Sequence, residues 1–195
     1  MSIPAFTIDG ILPPFVGADG PGDAPSAMTP YLVTAEQVAV RFGSTENRKS
    51  ILRGWLNYRA ALRAAGLVSG FQWLDGSFVE DKEPQDIDVM TFTYRPLVLQ
   101  DPAQREAWVA AHGYLYVRSI VKERFMVDAF PIDLNGHPET IVDATRYFGA
   151  LFSHRRGDNL WKGMLAVRLE DEADDRAAAA VITPPPVAGI AGAAP

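Results

Sequence analysis

Asp86-Ile87-Asp88-Val89 alternates acid with apolar residue and runs on into Met90-Thr91-Phe92. A period of two is that of a β-strand, in which residues i and i+2 share a face. Ile87 and Val89 therefore point into a core, while Asp86 and Asp88 stand together on the other face, roughly 6.5 to 7 Å apart. The apolar flanks make this an internal strand, where an unpaired pair of acids is costly. Two neighbouring carboxylates repel unless a cation sits between them. Oxygen ligands of this kind suit Mg²⁺ or Mn²⁺.

A second apolar run, residues 70 to 75, ends at Gly76-Ser77, and a charged loop leads from there to the acids. Gly76 permits a close approach of backbone to a ligand. The amides that follow, with the Ser77 hydroxyl, form a small nest suited to phosphate oxygens. Lys82 in the loop is a further phosphate candidate, with a solvated loop lysine as its plainer alternative. Arg48, Lys49, Lys122, Arg124, Arg155, Arg156 and Lys162 are the remaining basic candidates, and surface ion pairs account for most residues of this kind.

The 195 residues suffice for one domain with a core, and 48% hydrophobic residues make it globular. The net charge of −6 argues against a general nucleic-acid binder. Without residues 169 to 195 the balance falls to 19 acids against 17 bases, so the body retains room for a local anion site. There is no cysteine, hence no disulfide framework or thiolate metal site. His112, His137 and His154 show no ligand spacing, and no zinc is expected. No apolar run approaches the roughly 20 residues of a membrane helix, and the first residues lack a signal-peptide pattern. A cytoplasmic location is the default expectation.

Along the chain, residues 1 to 33 read as an irregular Pro/Gly-rich lead-in. Thr34 with Gln37 is a capping-box pattern opening a helix that breaks near Gly43-Ser44. Ser44 is the candidate cap for the next helix, whose Ile51, Leu52, Trp55, Tyr58 and Leu62 form one apolar stripe ended by Gly66. Trp55 and Trp108 read as packing residues. Strands are expected at 70–75, 86–93, 125–132 and 161–169. Helices are expected from Asp101 or Pro102 to Gly113 and from Pro138 to about Leu151, with 114–121 a strand or a connection. Residues 34–169 thus form the domain: α+β, with a small mixed sheet and helices mainly on one face. Residues 170–195 read as an acidic then Ala/Pro-rich disordered tail, with 176–195 expected to be dispensable for stability.

Leu74-Asp75-Gly76-Ser77-Phe78 followed by Asp86-Ile87-Asp88-Val89, with residues 78 to 85 between Ser77 and Asp86, resembles the signature of the DNA polymerase β-like nucleotidyltransferase superfamily. The chain is also similar to a small bacterial branch of that superfamily. The likeness lies in Gly10 to Pro14, the Gly-Ser-Phe-Val turn, Lys82 and Pro84, Val127 to Phe130, and Arg155 with Lys162-Gly163-Met164. It spans roughly residues 8 to 169. The resemblance implies that Asp86 and Asp88 bind two divalent ions, that a third acid joins them and helps position the attacking hydroxyl, and that Gly76 and Ser77 hold the donor's phosphates. Asp128 and Asp133 both fit the apolar-acid-apolar pattern of the third acid. Asp128, mid-strand, is the first choice and Asp133, beside a turn, the second.

By the same resemblance the chain is expected to use Mg²⁺ or Mn²⁺ and an NTP, ATP first, releasing pyrophosphate. The acceptor is a hydroxyl of a protein, an RNA or a small molecule, and nucleic acid enters only as an acceptor. A protein partner encoded nearby, in a toxin–antitoxin or defence setting, is a further expectation by analogy. The competing reading is a non-catalytic nucleotide- or partner-binding module on the same fold.

Overall fold

The computed structural model describes residues 2–17 and 24–183. Five strands form one mixed sheet in the order β1-β5-β2-β3-β4. These are β1 Tyr31–Val33, β2 Gly70–Asp75, β3 Ile87–Thr93, β4 Val127–Asp133 and β5 Leu165–Arg168. β1–β5 and β3–β4 run parallel, while β2 is antiparallel to both of its neighbours. Pro131 is accommodated because β4 lies at an edge, where one side of the strand has no ladder to complete.

Six helices complete the α+β fold: α1 Ala35–Phe42, α2 Glu46–Ala64, α3 Pro102–His112, α4 Arg118–Phe125, α5 Pro138–Phe152 and α6 Glu172–Ile182. The expected stripe on α2 is buried throughout and joins Leu74, Ile87, Val89, Val127 and Leu165 in the main core. α1, α3, α4 and α6 contribute to that same core. Among the described helices only α5 packs on the opposite face, where Phe148 and Phe152 meet Met90, Phe92 and Phe130. Trp55 and Trp108 are buried, and their indole N–H groups donate to Gln72 Oε1 and the Ala65 carbonyl.

Several local expectations are corrected. Thr45, not Ser44, caps α2, its hydroxyl accepting from the Arg48 amide. Residues 114–121 form a 3-10 turn and the start of α4, because Val121 and Phe125 fall one helical turn apart and both reach the core. The last strand is confined to Leu165–Arg168. The lead-in is not separate from the domain, since Leu12 is fully buried in the core and the segment ends in β1.

The largest correction is the tail. Its first part is α6, which lays Ala178 and Ile182 into the core. The acidic run is structural: Asp171 caps α6, Asp174 accepts the Ala35 and Glu36 amides at the start of α1, and Asp175 binds Arg59 and Arg63. The rest of the expected tail, 184–195, lies outside the described residues. Among the described residues no helix is long and apolar enough to cross a membrane.

Candidate functional site

β2 carries an acid as its last residue, and β3 and β4 each carry one as their second residue, all at one register level. Asp75 is the cross-strand partner of Asp88, and Asp88 is the partner of Asp128. Partners across a ladder point to the same face, with neighbouring strands about 4.8 Å apart. Asp86 precedes β3 by one residue and shares that face by alternation. The outcome is a row of carboxylates over the face opposite the main core. Like charges directly opposite one another destabilise a sheet, so the row needs compensation.

Three cations supply it. Lys162 is 2% exposed, and its Nζ lies 3.1 Å from Asp75 Oδ1 and 3.0 Å from Glu80 Oε1. Lys122 Nζ lies 2.5 Å from Asp86 Oδ2 and 3.5 Å from Asp128 Oδ2. Arg118 grips Asp128 with a fork, Nε to Oδ1 and the second nitrogen to Oδ2 at 2.6 Å. Asp88, in the middle, makes no ion pair among the described residues.

The titration of the row follows from these partners. Burial, then the charges of Asp86 and Asp128, push the Asp88 carboxyl above its usual range. Burial of Asp128 acts the same way but is outweighed by the Arg118 hydrogen bond and the Lys122 charge, so its pKa is lowered. Asp75 is pushed up to about 7 by burial, against the opposing pull of Lys162. A carboxyl with a raised folded-state pKa contributes stability that is complete below about 3.8 and is lost as pH rises through about 7. The wild type is therefore expected to lose more stability than Asp75→Asn between pH 4 and pH 7, measured by urea unfolding across that range. Parallel pH profiles for the two proteins would exclude a raised Asp75.

Gly76 follows Asp75 directly, with φ +77. A Cβ on it would lie 2.0 Å from Asp88 Oδ2, so only glycine lets the turn and the acid coexist. Lys162 Nζ donates to the Gly76 carbonyl at 3.0 Å. In a planar trans peptide the following N–H points the opposite way, so the Ser77 amide is directed away from Lys162. The turn and the acid row line one cavity of about 570 Å³.

All six residues singled out in the sequence, Gly76, Ser77, Lys82, Asp86, Asp88 and Asp128, line this cavity. Lys82 lies at its margin, 55% exposed and paired with Glu80 at 2.7 Å. Asp133 is not part of it: it sits at the far end of β4, opposite Thr93, and pairs with Arg95. Lys122, Arg156 and Lys162 face the cavity, whereas Arg155 is tied to Asp158 and Arg48 is buried against the carbonyls of Phe78, Glu80 and Lys82. Glu80 and Arg118 belong to no motif, and Asp75 lies within the Leu74–Phe78 stretch without being one of its candidate site residues. Asp75 was legible only as the residue in phase with Trp73 on β2, and Arg118 only as the i−4 partner of Lys122 on a helix.

The family model of DUF6932, a family of unknown function, matches residues 4–168. The chain belongs to this family. The DUF6932 match takes in the whole sheet, the turn, the acid row and Lys162, and ends at the last residue of β5. Comparison with curated proteins and with solved structures returned no match.

Proposed function

We propose that the chain is a metal-dependent nucleotidyltransferase of polymerase β-like fold, moving a nucleotidyl group from an NTP, ATP first, to a hydroxyl acceptor. The observation that carries this reading is the juxtaposition of the left-handed Gly76-Ser77 turn with the in-register row Asp75, Asp88 and Asp128 in one cavity. The donor chemistry fits Mg²⁺ or Mn²⁺, since Asp86, Asp88 and Asp128 offer only hard oxygens and Asp88 has no ion pair of its own. Among the described residues no three acids or histidines converge on one point. Arg118 and Lys122 must therefore release Asp128 and Asp86 before these can act as ligands.

In this reading Ser77 and the amides of the turn bind the donor's phosphates, and Asp86 and Asp88 hold the divalent ions. Asp128 joins them once Arg118 and Lys122 have released it, and orients the acceptor hydroxyl. The acceptor oxygen forms a bond to the α-phosphorus as the bond to pyrophosphate breaks, and the acceptor proton leaves to solvent. A divalent ion supplies charge neutralisation at the phosphate oxygens. The acceptor is a protein, an RNA or a small molecule, and a partner protein encoded nearby belongs to this reading by analogy alone.

The non-catalytic binding module is retained as a second reading because Arg118 and Lys122 neutralise two of the acids without any metal. Incubation with each labelled NTP, Mn²⁺ and cell extract separates the two. Label on an acceptor from wild type, falling at least about 100-fold in Gly76→Ala, supports transfer. Nucleotide binding without label favours the module.

A further inference from the structure

We infer that Arg118 and Lys122 are resident counter-ions that compete with a bare divalent cation for the acid row, weakening its binding, and pass to the donor's phosphates when metal and nucleotide enter together. The inference rests on the nucleotidyltransferase reading and adds its donor-selecting residues.

Both residues project from one face of α4, four apart, while Val121 and Phe125 on the other face anchor the helix in the core. Gly54 secures that anchorage: a Cβ there would lie 1.9 Å from the Phe125 carbonyl oxygen, so α2 and the end of α4 meet backbone to backbone. The helix is fixed, but the heads are not. The side chains of Arg118 and Lys122 are 60% and 50% exposed and reach the buried Asp128 and the half-buried Asp86 from the solvent side. The Arg118 guanidinium also lies 4.7 Å over the Phe130 ring, a second resting point at the cavity wall.

Charge decides what can enter. Six carboxylates and five Lys or Arg side chains line the cavity, so its formal charge is −1. A divalent ion alone would compete with two cationic heads for the same oxygens and leave them facing it. A triphosphate alone would meet Asp88 and its neighbours. Together they exchange partners: carboxylates take the metal, and the freed guanidinium and ammonium take phosphate oxygens. A guanidinium fork suits phosphate as well as carboxylate. Metal and nucleotide should therefore bind with positive coupling, and removing the heads should move the two affinities in opposite directions.

The test titrates Mn²⁺, followed by the electron paramagnetic resonance of the free ion, with and without an ATP analogue carrying an uncleavable α,β-methylene bridge. Wild type is compared with Arg118→Gln/Lys122→Gln. In wild type the analogue should tighten Mn²⁺ binding. In the double variant Mn²⁺ alone should bind about tenfold tighter, since two competing charges are gone, and the analogue at least about tenfold more weakly. Should the double variant not fold, Lys122→Gln, which leaves the Arg118–Asp128 pair in place, carries the same comparison. Wild type that binds both ligands, with a variant that binds Mn²⁺ no tighter or the analogue no more weakly, overturns the counter-ion exchange alone. Absence of Mn²⁺ and analogue binding in both proteins overturns the nucleotidyltransferase reading and this inference together.

Discussion

Asp175→Ala is expected to destabilise the fold by about 3–5 kcal/mol, the usual cost of stripping one partner from a buried ion pair. Arg59 is fully buried on α2, and its Nε lies 2.8 and 2.9 Å from the two Asp175 oxygens. Its remaining nitrogens donate to the Arg168 carbonyl at 2.6 Å and to Gln72 Oε1 at 3.1 Å, both neutral acceptors. Arg63 bonds the same carboxylate from the next turn of α2. Without Asp175 the Arg59 guanidinium stays in the interior without its paired carboxylate, and only the weaker charge effect of Asp174 offsets it. Domains of this size are stable by about 5–15 kcal/mol, so a large share is at stake. Urea unfolding should show a lower midpoint at an unchanged slope. A chain ending at Asp175 should also be clearly weakened, because it loses the fully buried Ala178 and Ile182. A midpoint within error of wild type in both cases would mean that α6 is not docked as described.

Asp88→Asn is expected to raise the melting temperature of the metal-free protein, flatten its response to Mg²⁺ or Mn²⁺, and reduce transfer roughly 1000-fold. Asp88 is the middle member of the row, flanked in register by Asp75 and Asp128, and it is the one without an ion pair among the described residues. Its raised pKa, from burial and then from Asp86 and Asp128, means that ionised Asp88 works against folding near neutral pH. Asparagine keeps the shape and removes the charge. In wild type, a divalent ion bound only to the folded state adds about 2.7 kcal/mol at a hundredfold excess over its dissociation constant. Thermal melts with and without metal, beside the labelling assay, read all three effects. A lower metal-free melting temperature in Asp88→Asn, with no metal shift in wild type, would leave the acids as a structural cluster and favour the binding module.

The sequence by itself determined the elements that depend on short-range patterns. The alternation in β3, the apolar stripe of α2, the Thr34 capping box and the Gly76 turn each rest on residues a few positions apart, and all recur in the structure. The α+β class followed from them. Only the tertiary structure showed that Asp128 lies in the acid row and Asp133 outside it, because that depends on the register of β4 against β3, set by packing between segments some 40 residues apart. It also set Asp75 in the row with the buried Lys162 as its partner, and it brought in Arg118, which no local pattern distinguishes from an ordinary surface base. The tail shows the same limit most clearly. An acidic, alanine-rich segment has too little apolar surface to announce a helix, and α6 takes its place in the fold because Arg59 and Arg63, more than a hundred residues earlier, require Asp175. Local sequence encodes backbone propensity and burial phase; the pairing of distant charges is decided by where the completed core leaves them.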